Sequence, residues 1–532
     1  MNTSVLKSLT AAVGIAIFSN APASTSEAPL FSLDVKSYAS AMESITRIAE
    51  AMDKGSASSI DGSITALLGA DLLEFIQPDK SWHFGLWMDY FGQPPLKAIY
   101  VPVTDFEGFR DALAEHALHE QNLTLVDQDG YAILIENESA PDVEIPPAAM
   151  EKITSYFANR STNPAQAFSA TVKISDSLRP MMLGGLEMGK GMMLGQMQAS
   201  PDAPMDAELM KRIMDAYFQV FTIVVRDTDT LNIAFDIANG NLEQTLSLTP
   251  NPDTQLSRWL SQPAPALDTA IGSADWSADA AFVVSMGKLD AASRPFIENL
   301  MTALMPVYGL EVNDVGPWMQ LIEQSLPGIT AYSLDFADGM QLDSFYETTD
   351  GDARATYDRS VELSLALPTA PEAENSYYSK LEVNRDARTE GDHSVDQWIM
   401  ELNFDHPTLQ MPGQKDQMIA LFGGEQIIYE ATVIDDRIYF ASQDRLQQAI
   451  ERKNQRPEFQ VPPAARMAGS MNMIAMLKAS ATADPDLQLN TAALDPEGTR
   501  AWMTAAANES LVVRLGLPLK MFKEMSKLSV MP

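Results

Sequence analysis

The sequence predicts an α+β fold: tandem related modules of antiparallel sheet with helices packed on one face. Three observations lead there. Apolar residues alternate at period two in several short runs, hairpin turn signals separate pairs of such runs, and one strand–helix–sheet pattern occurs twice in the 532 residues.

The elements follow in order. Met42, Ile45, Ile48 and Met52 fall at helical spacing, as do Ile64, Leu67, Leu68, Leu72 and Phe75 before Pro78 ends that helix. Trp82, Phe84, Leu86, Met88 and Tyr90 alternate as one face of a strand, and Gln93-Pro94-Pro95 turns the chain into the next. A strand over 97–103 leads to a helix over 105–119 capped by Asp105. Strands over 123–126 and 131–135 form a hairpin closed by Asp129-Gly130, a type I′ turn signal. A helix over 148–158 and a strand over 167–174 complete β-α-β-β-α-β, the ferredoxin-like order, within the first half.

The repeat comes next. A strand over 167–173, Arg179-Pro180, helical sequence, and strands over 222–225, 231–237 and 244–248 form one copy. The second has a strand over 281–286, Arg294-Pro295, helical sequence, and strands over 330–333, 341–347 and 360–365, with Asp350-Gly351-Asp352 as a hairpin turn. Later strands are expected over 431–434 and 437–440 (turning at Asp435-Asp436), 469–474 and 511–517, with a short basic helix over 519–528. Linkers rich in proline and alanine at 262–266 and 368–374 give the expected division: 1–23, 28–262, 267–368 and 375–532.

Residues 1–23 read as a signal peptide. Lys7 supplies the positive start, residues 9–18 the apolar run, and Ala21-Pro22-Ala23 the small-x-small cleavage pattern. The run is too short to span a bilayer, and no later stretch approaches about 18 uncharged apolar residues, so a soluble exported chain is expected. Its location would be periplasmic or extracellular. With no cysteine there is no disulfide, thiolate metal site, thiol nucleophile or lipid-bearing thiol.

Composition narrows the partners. The chain is 46% hydrophobic and 20% charged, which is globular rather than disordered. Its 72 acidic residues outnumber 36 basic ones, and the net charge of −36 repels phosphates, which argues against nucleic acid and anionic membrane surfaces.

Two local patterns, Val101-Pro102-Val103-Thr104-Asp105-Phe106 opening a helix and the Asp129-Gly130-Tyr131-Ala132-Ile133 hairpin, resemble a class of exported bacterial proteins of unknown function with repeated α+β modules. The resemblance implies fold and export, and no activity.

Catalytic motifs fail on inspection. Gly184-Gly185-Leu186-Glu187-Met188-Gly189-Lys190 has P-loop spacing, but Gly191 stands where a hydroxyl should hold Mg²⁺. Ser285-Met286-Gly287-Lys288 matches S-x-x-K, yet it falls on a predicted strand and no K-T-G partner exists. His116, His119 and Glu120 lie within one helical turn and could share a metal; they equally suit a solvated helix C-terminus, which favours imidazole. Trp82, Phe84 and Tyr90 could stack on a sugar, although their alternation favours a face covered by helices.

The most unusual composition is methionine interleaved with glycine. Met182, Leu186, Gly189, Met193 and Met197 share one helical face, which predicts burial in the core. Two other readings use the same segment: a surface for a hydrophobic ligand or partner formed by Met182, Leu186, Met192, Met193 and Met197, and a soft thioether site for Cu(I).

No nucleophile, base and orienting group emerge together. The reading is a non-catalytic exported binding or scaffolding protein of the cell envelope, without a cofactor, whose partner is an envelope protein or a hydrophobic ligand. The alternatives are a carrier of hydrophobic ligands through the Met-rich segment and a carboxylate-dependent hydrolase.

Overall fold

The computed structural model describes residues 28–52, 70–87, 96–115, 123–137, 145–160, 164–198 and 207–530. Within these, 177, 292, 306–309, 311–314, 337–338, 350, 370–375, 407–408, 410–413, 453–454 and 484–490 are left out. The expected signal peptide, the helix around Ile64 to Leu68 and the Gln93-Pro94-Pro95 turn lie outside the described residues. The chain divides into two compact units, residues 1–185 with 228–251, and residues 186–227 with 252–532.

The first unit begins with β1 (Phe31–Val35), α1 (Tyr38–Met52), α2 (Ala70–Glu74), β2 (Trp82–Trp87) and β3 (Leu96–Pro102). It continues with α3 (Phe106–Glu115), β4 (Leu123–Gln128), β5 (Tyr131–Asn137), α4 (Pro147–Ala158) and β6 (Phe168–Lys173). Helices α5 (Leu178–Gln198) and α6 (Ala207–Asp227) precede its last strands, β7 (Thr228–Ala238) and β8 (Asn241–Pro250). Its sheet runs β4-β5-β3-β2-β1-β6-β7-β8, every pair antiparallel.

The Asp129-Gly130 turn forms as expected. Both residues have positive φ, 49° and 80°, so the two-residue loop matches the right-handed twist of β4 and β5. The elements of the ferredoxin-like order also occur in sequence, and β5 inserts between β3 and β4. The sheet departs from that fold at the next step. The free edge of β3 pairs with β2, and β6 pairs instead with β1, a strand the sequence reading lacked.

Helices cover both faces of this sheet, not the single face expected. Ala98, Tyr100, Ile133 and Ile135 pack with Ile153 and Phe157 of α4. The alternate residues Val101, Ala132 and Leu134 pack with Leu72 of α2 and with Phe109 and Leu113 of α3. The unbroken apolar run from Tyr131 to Ile135 is the signature of a strand buried on both sides. β2 behaves likewise. Its fully covered face carries His83 and Trp87, whereas Trp82 and Phe84 are half-buried against Tyr38 and Phe31.

The second unit adds α7 (Gln255–Ser261), β9 (Ala280–Met286), α8 (Arg294–Leu304), α9 (Val315–Ser325), β10 (Gly328–Asp335), β11 (Gln341–Thr348) and α10 (Ala353–Leu365). Then come β12 (Tyr378–Glu390), β13 (His393–Leu402), α11 (Gln414–Phe422), β14 (Gln426–Ile434), β15 (Arg437–Ser442) and α12 (Leu446–Glu451). It ends with β16 (Ala465–Asn472), α13 (Met473–Ala483), β17 (Arg500–Ala507), β18 (Leu511–Pro518) and α14 (Leu519–Ser526). Its antiparallel sheet runs β18-β17-β16-β9-β10-β11-β15-β14-β13-β12. β11 bonds to β15 across the expected 368–374 linker, so pairing runs through that boundary. Its main core joins Leu267, Ile271 and Trp276 to Val283, Ile329, Phe345 and Leu446.

Two expected strands are helices. Residues 222–225 lie in α6, where the Thr222 hydroxyl donates to the Phe218 carbonyl at 2.8 Å, a helical i−4 bond that satisfies it locally. Residues 360–365 lie in α10. Asp352, expected in a hairpin turn, accepts a hydrogen bond from the Ala355 amide at 3.0 Å and caps this helix. Tyr357 and Val361, four apart, then face the core made with Trp398 and Tyr429.

Candidate functional site

The P-loop-like glycines and Lys190 lie inside the continuous helix α5, which leaves no loop to cradle a phosphate. Ser285 sits on β9 as expected, buried, its hydroxyl donating to the Pro265 carbonyl at 2.5 Å. His116, His119 and Glu120 are outside the described residues, as is Tyr90 of the aromatic set. Among the described residues no group of three or more His, Asp or Glu could hold a metal ion.

The Met-rich helix is where structure and sequence differ most usefully. Met182 and Leu186 are half-buried, while Met192 is 60% and Met193 46% exposed; Met197's side chain is outside the described residues. The expected core burial is not found. Ten leucines and methionines spread around α5 cannot all face one neighbour, and Met188 (68% exposed) with Met192, four apart, makes a second apolar face. Among the described residues, a Cβ added at Gly189, Gly191 or Gly195 would meet no atom within 4 Å.

Helix α6 follows α5 and carries exposed aromatic residues of its own. Lys190 and Asp215 tie α5 to α6 at 2.6 Å. Tyr217 and Phe221, again four apart, are 56% and 54% exposed, and Phe218 meets Phe221 edge-on at 6.2 Å. Helix α6 also packs on α8, with Asn299 donating to Gln219 at 3.4 Å. The two helices carry Arg179, Lys190, Lys211, Arg212 and Arg226 against Glu187, Glu208, Asp215 and Asp227. In a chain of net charge −36, this hairpin is close to neutral.

A second constellation escaped the sequence reading. The Ser81 hydroxyl lies 3.1 Å from Nε2 of His83, whose Nδ1 lies 2.7 Å from Asp34. Arg160 donates to both oxygens of Asp34, through Nε at 2.8 Å and through Nη2. Burial alone would raise the Asp34 pKa, but the hydrogen bonds from His83 and Arg160 outweigh it and hold the carboxyl below its ordinary value. The order serine, imidazole, carboxylate is that of a hydrolytic triad. Access is what it lacks, because Ser81 is 0% and His83 1% exposed. A nucleophile needs its oxygen open to an acyl carbon, so this arrangement works as a buried polar tie between β1, β2 and the end of α4.

No protein-family model, curated protein or solved structure matches the chain. Among the described residues no helix is long and apolar enough to cross a membrane.

Proposed function

We propose that this chain is an exported, non-catalytic binding protein of the cell envelope, cleaved after Ala23, that docks an apolar partner on the α5–α6 hairpin. The observation that carries the reading is the exposure of Met188, Met192, Met193, Tyr217 and Phe221 on two neighbouring, nearly neutral helices. Large apolar residues exposed one turn apart, as Met188 with Met192 and Tyr217 with Phe221, mark interaction surfaces. Flexible thioethers and aromatic rings adapt to a partner's shape. The occupant that fits is an amphipathic helix whose apolar face covers the methionines. Lysines and arginines on its rim complement the acidic charge carried elsewhere on the chain.

The two units supply the scaffold as tandem relatives. The first unit's order β8-β7-β6-β1-β2-β3-β5-β4 recurs in the second as β18-β17-β16-β9-β10-β11-β15-β14, with β13 and β12 added at the edge. The shorter pattern, strand, two helices, then two strands, occurs over β6 to β8 and over β9 to β11. Arg179-Pro180 and Arg294-Pro295 stand in the first turns of α5 and α8.

A synthetic Leu/Lys amphipathic peptide tests the docking reading. Saturable binding to the full chain that is abolished by Met188→Ser with Met192→Ser supports it. Equal binding by both chains overturns it.

A further inference from the structure

In a chain with half as many basic as acidic residues, four arginines fall within twenty positions, Arg437, Arg445, Arg452 and Arg456, and three of them line one cavity of the second unit. The cavity measures about 240 Å³. Arg437, Arg452 and Arg456 share its wall with Tyr439, Ser273 and Asp268. Local structure explains the gathering. Arg437 opens β15, Arg452 follows α12, and the short helical turns at Leu267–Thr269 and Ile271–Ser273 bring Asp268 and Ser273 opposite them.

The three guanidinium groups are not equivalent. Arg452 is the fixed floor, 6% exposed, bonded to Asp275 at 3.0 Å and to Asp343 at 2.7 Å. Asp343 is itself buried. Burial pushes its pKa up against the opposing charges of Arg452 and Arg445, and Arg445 also pairs with Asp335 at 2.7 Å. Arg437 engages Glu347 through Nε at 3.0 Å and lies 5.2 Å over the Phe345 ring, which orients the outer edge of its guanidinium. Arg456 sits at the mouth, 65% exposed, and its contact with Asp268 is long, 3.9 Å.

We propose that this cavity binds a compact dianionic oxyanion, the phosphate monoester group of a small molecule or free inorganic phosphate or sulfate. Arg456 and Arg437 grip the group in fork geometry, and the hydroxyls of Tyr439 and Ser273 complete its shell. Double charge is required because Asp268 already offers Arg456 a single carboxylate, which a monoanion displaces for no net gain. The site is independent of the α5–α6 surface.

Titration calorimetry of the full chain with inorganic phosphate and with sulfate, at constant ionic strength against chloride, tests it. One-to-one saturable binding is expected. Arg456→Gln weakens it about tenfold or more, the worth of a charge-assisted hydrogen bond, and Asp268→Asn tightens it by removing the competitor. Both residues are exposed, so melting curves of the variants should match the parent. Phosphate affinity should rise as the phosphate takes its second charge, with sulfate affinity unchanged over the same pH range; phosphate affinity that does not follow the second charge overturns the requirement for a dianion. Heat that chloride reproduces, or affinity that neither substitution moves, overturns the proposal.

Discussion

Asp34 of β1 stands directly across the strand pair from His83 of β2 and holds its imidazole at 2.7 Å, while Arg160 binds the same carboxylate from the end of α4. Three sequence-distant segments of the first unit meet on one carboxylate that is 13% exposed. Asp34→Asn should therefore destabilise the unit by about 3 kcal/mol at neutral pH, because two buried donors lose their charged acceptor. The sign with pH follows from a depressed folded pKa. The stabilisation is complete above the ordinary carboxylate value of 3.8 and is lost as the pH falls through the lower folded value. Melting curves of parent and variant should converge in acid and separate above it. Ser81→Ala should cost about 1 kcal/mol and leave any turnover of a p-nitrophenyl ester unchanged. Loss of an esterase activity in that variant would make Ser81 a nucleophile and the tie a catalytic triad.

Why this tie was invisible in the sequence is physical. Ser81 and His83 are two apart and share a strand face, so their adjacency was available. Asp34 is 49 residues away, and only the pairing of β1 with β2 brings it there. Local chemistry read well by contrast. The Asp129-Gly130 hairpin, the Asp435-Asp436 turn and the Asp105 start of α3 all depend on a few neighbouring residues. Residues 361–365 failed because Val361, Leu363 and Leu365 alternate like a strand, while the decisive signal was the cap at Asp352. The apolar hairpin surface failed for a different reason: periodicity shows which side chains share a face, and only tertiary structure shows whether anything covers it.

That cap gives a direct test. Asp352→Ala removes the acceptor for the Ala355 amide and should cost about 1 kcal/mol, with Asp352→Ser restoring most of it. Urea melts of the three chains measure the difference. No change on Asp352→Ala would mean that the first turn of α10 is held by its core contacts alone.

Two glycines should respond to alanine for opposite reasons. Gly130 has φ of +80° with no atom within 4 Å of an added Cβ, so Gly130→Ala pays only backbone strain, about 1 kcal/mol. Gly469 on β16 faces the Phe282 ring, and an added Cβ would lie 2.3 Å from its Cδ1. Phe282 also stacks on Tyr332 at 5.4 Å, so it cannot retreat freely. Gly469→Ala should cost about 1–3 kcal/mol, and the Tyr332 environment should change with it in aromatic nuclear magnetic resonance spectra. A Gly130→Ala chain less stable than Gly469→Ala would reverse the argument.

The methionines allow the sharpest separation of structural from interaction roles within one residue type. Met319 of α9 is 2% exposed and packs with Met305 and Val315, so Met319→Ala should cost about 2–5 kcal/mol. Met188 and Met192 are 68% and 60% exposed, and serine at either position should change stability by no more than about 0.5 kcal/mol. A fluorescent hydrophobic probe should bind the parent chain and Met319→Ala at temperatures where both are folded, and bind Met188→Ser with Met192→Ser far less. The alternative of a core-facing α5 predicts the reverse, a large drop in melting temperature for the exposed pair with probe binding unchanged or increased. Copper needs several thioether sulfurs at one point, whereas Met188 and Met192 are exposed one turn apart on a single helix. Cuprous ion should accordingly leave the melting temperature of the parent chain unmoved, and a stoichiometric rise lost in Met192→Leu would assign the face to metal.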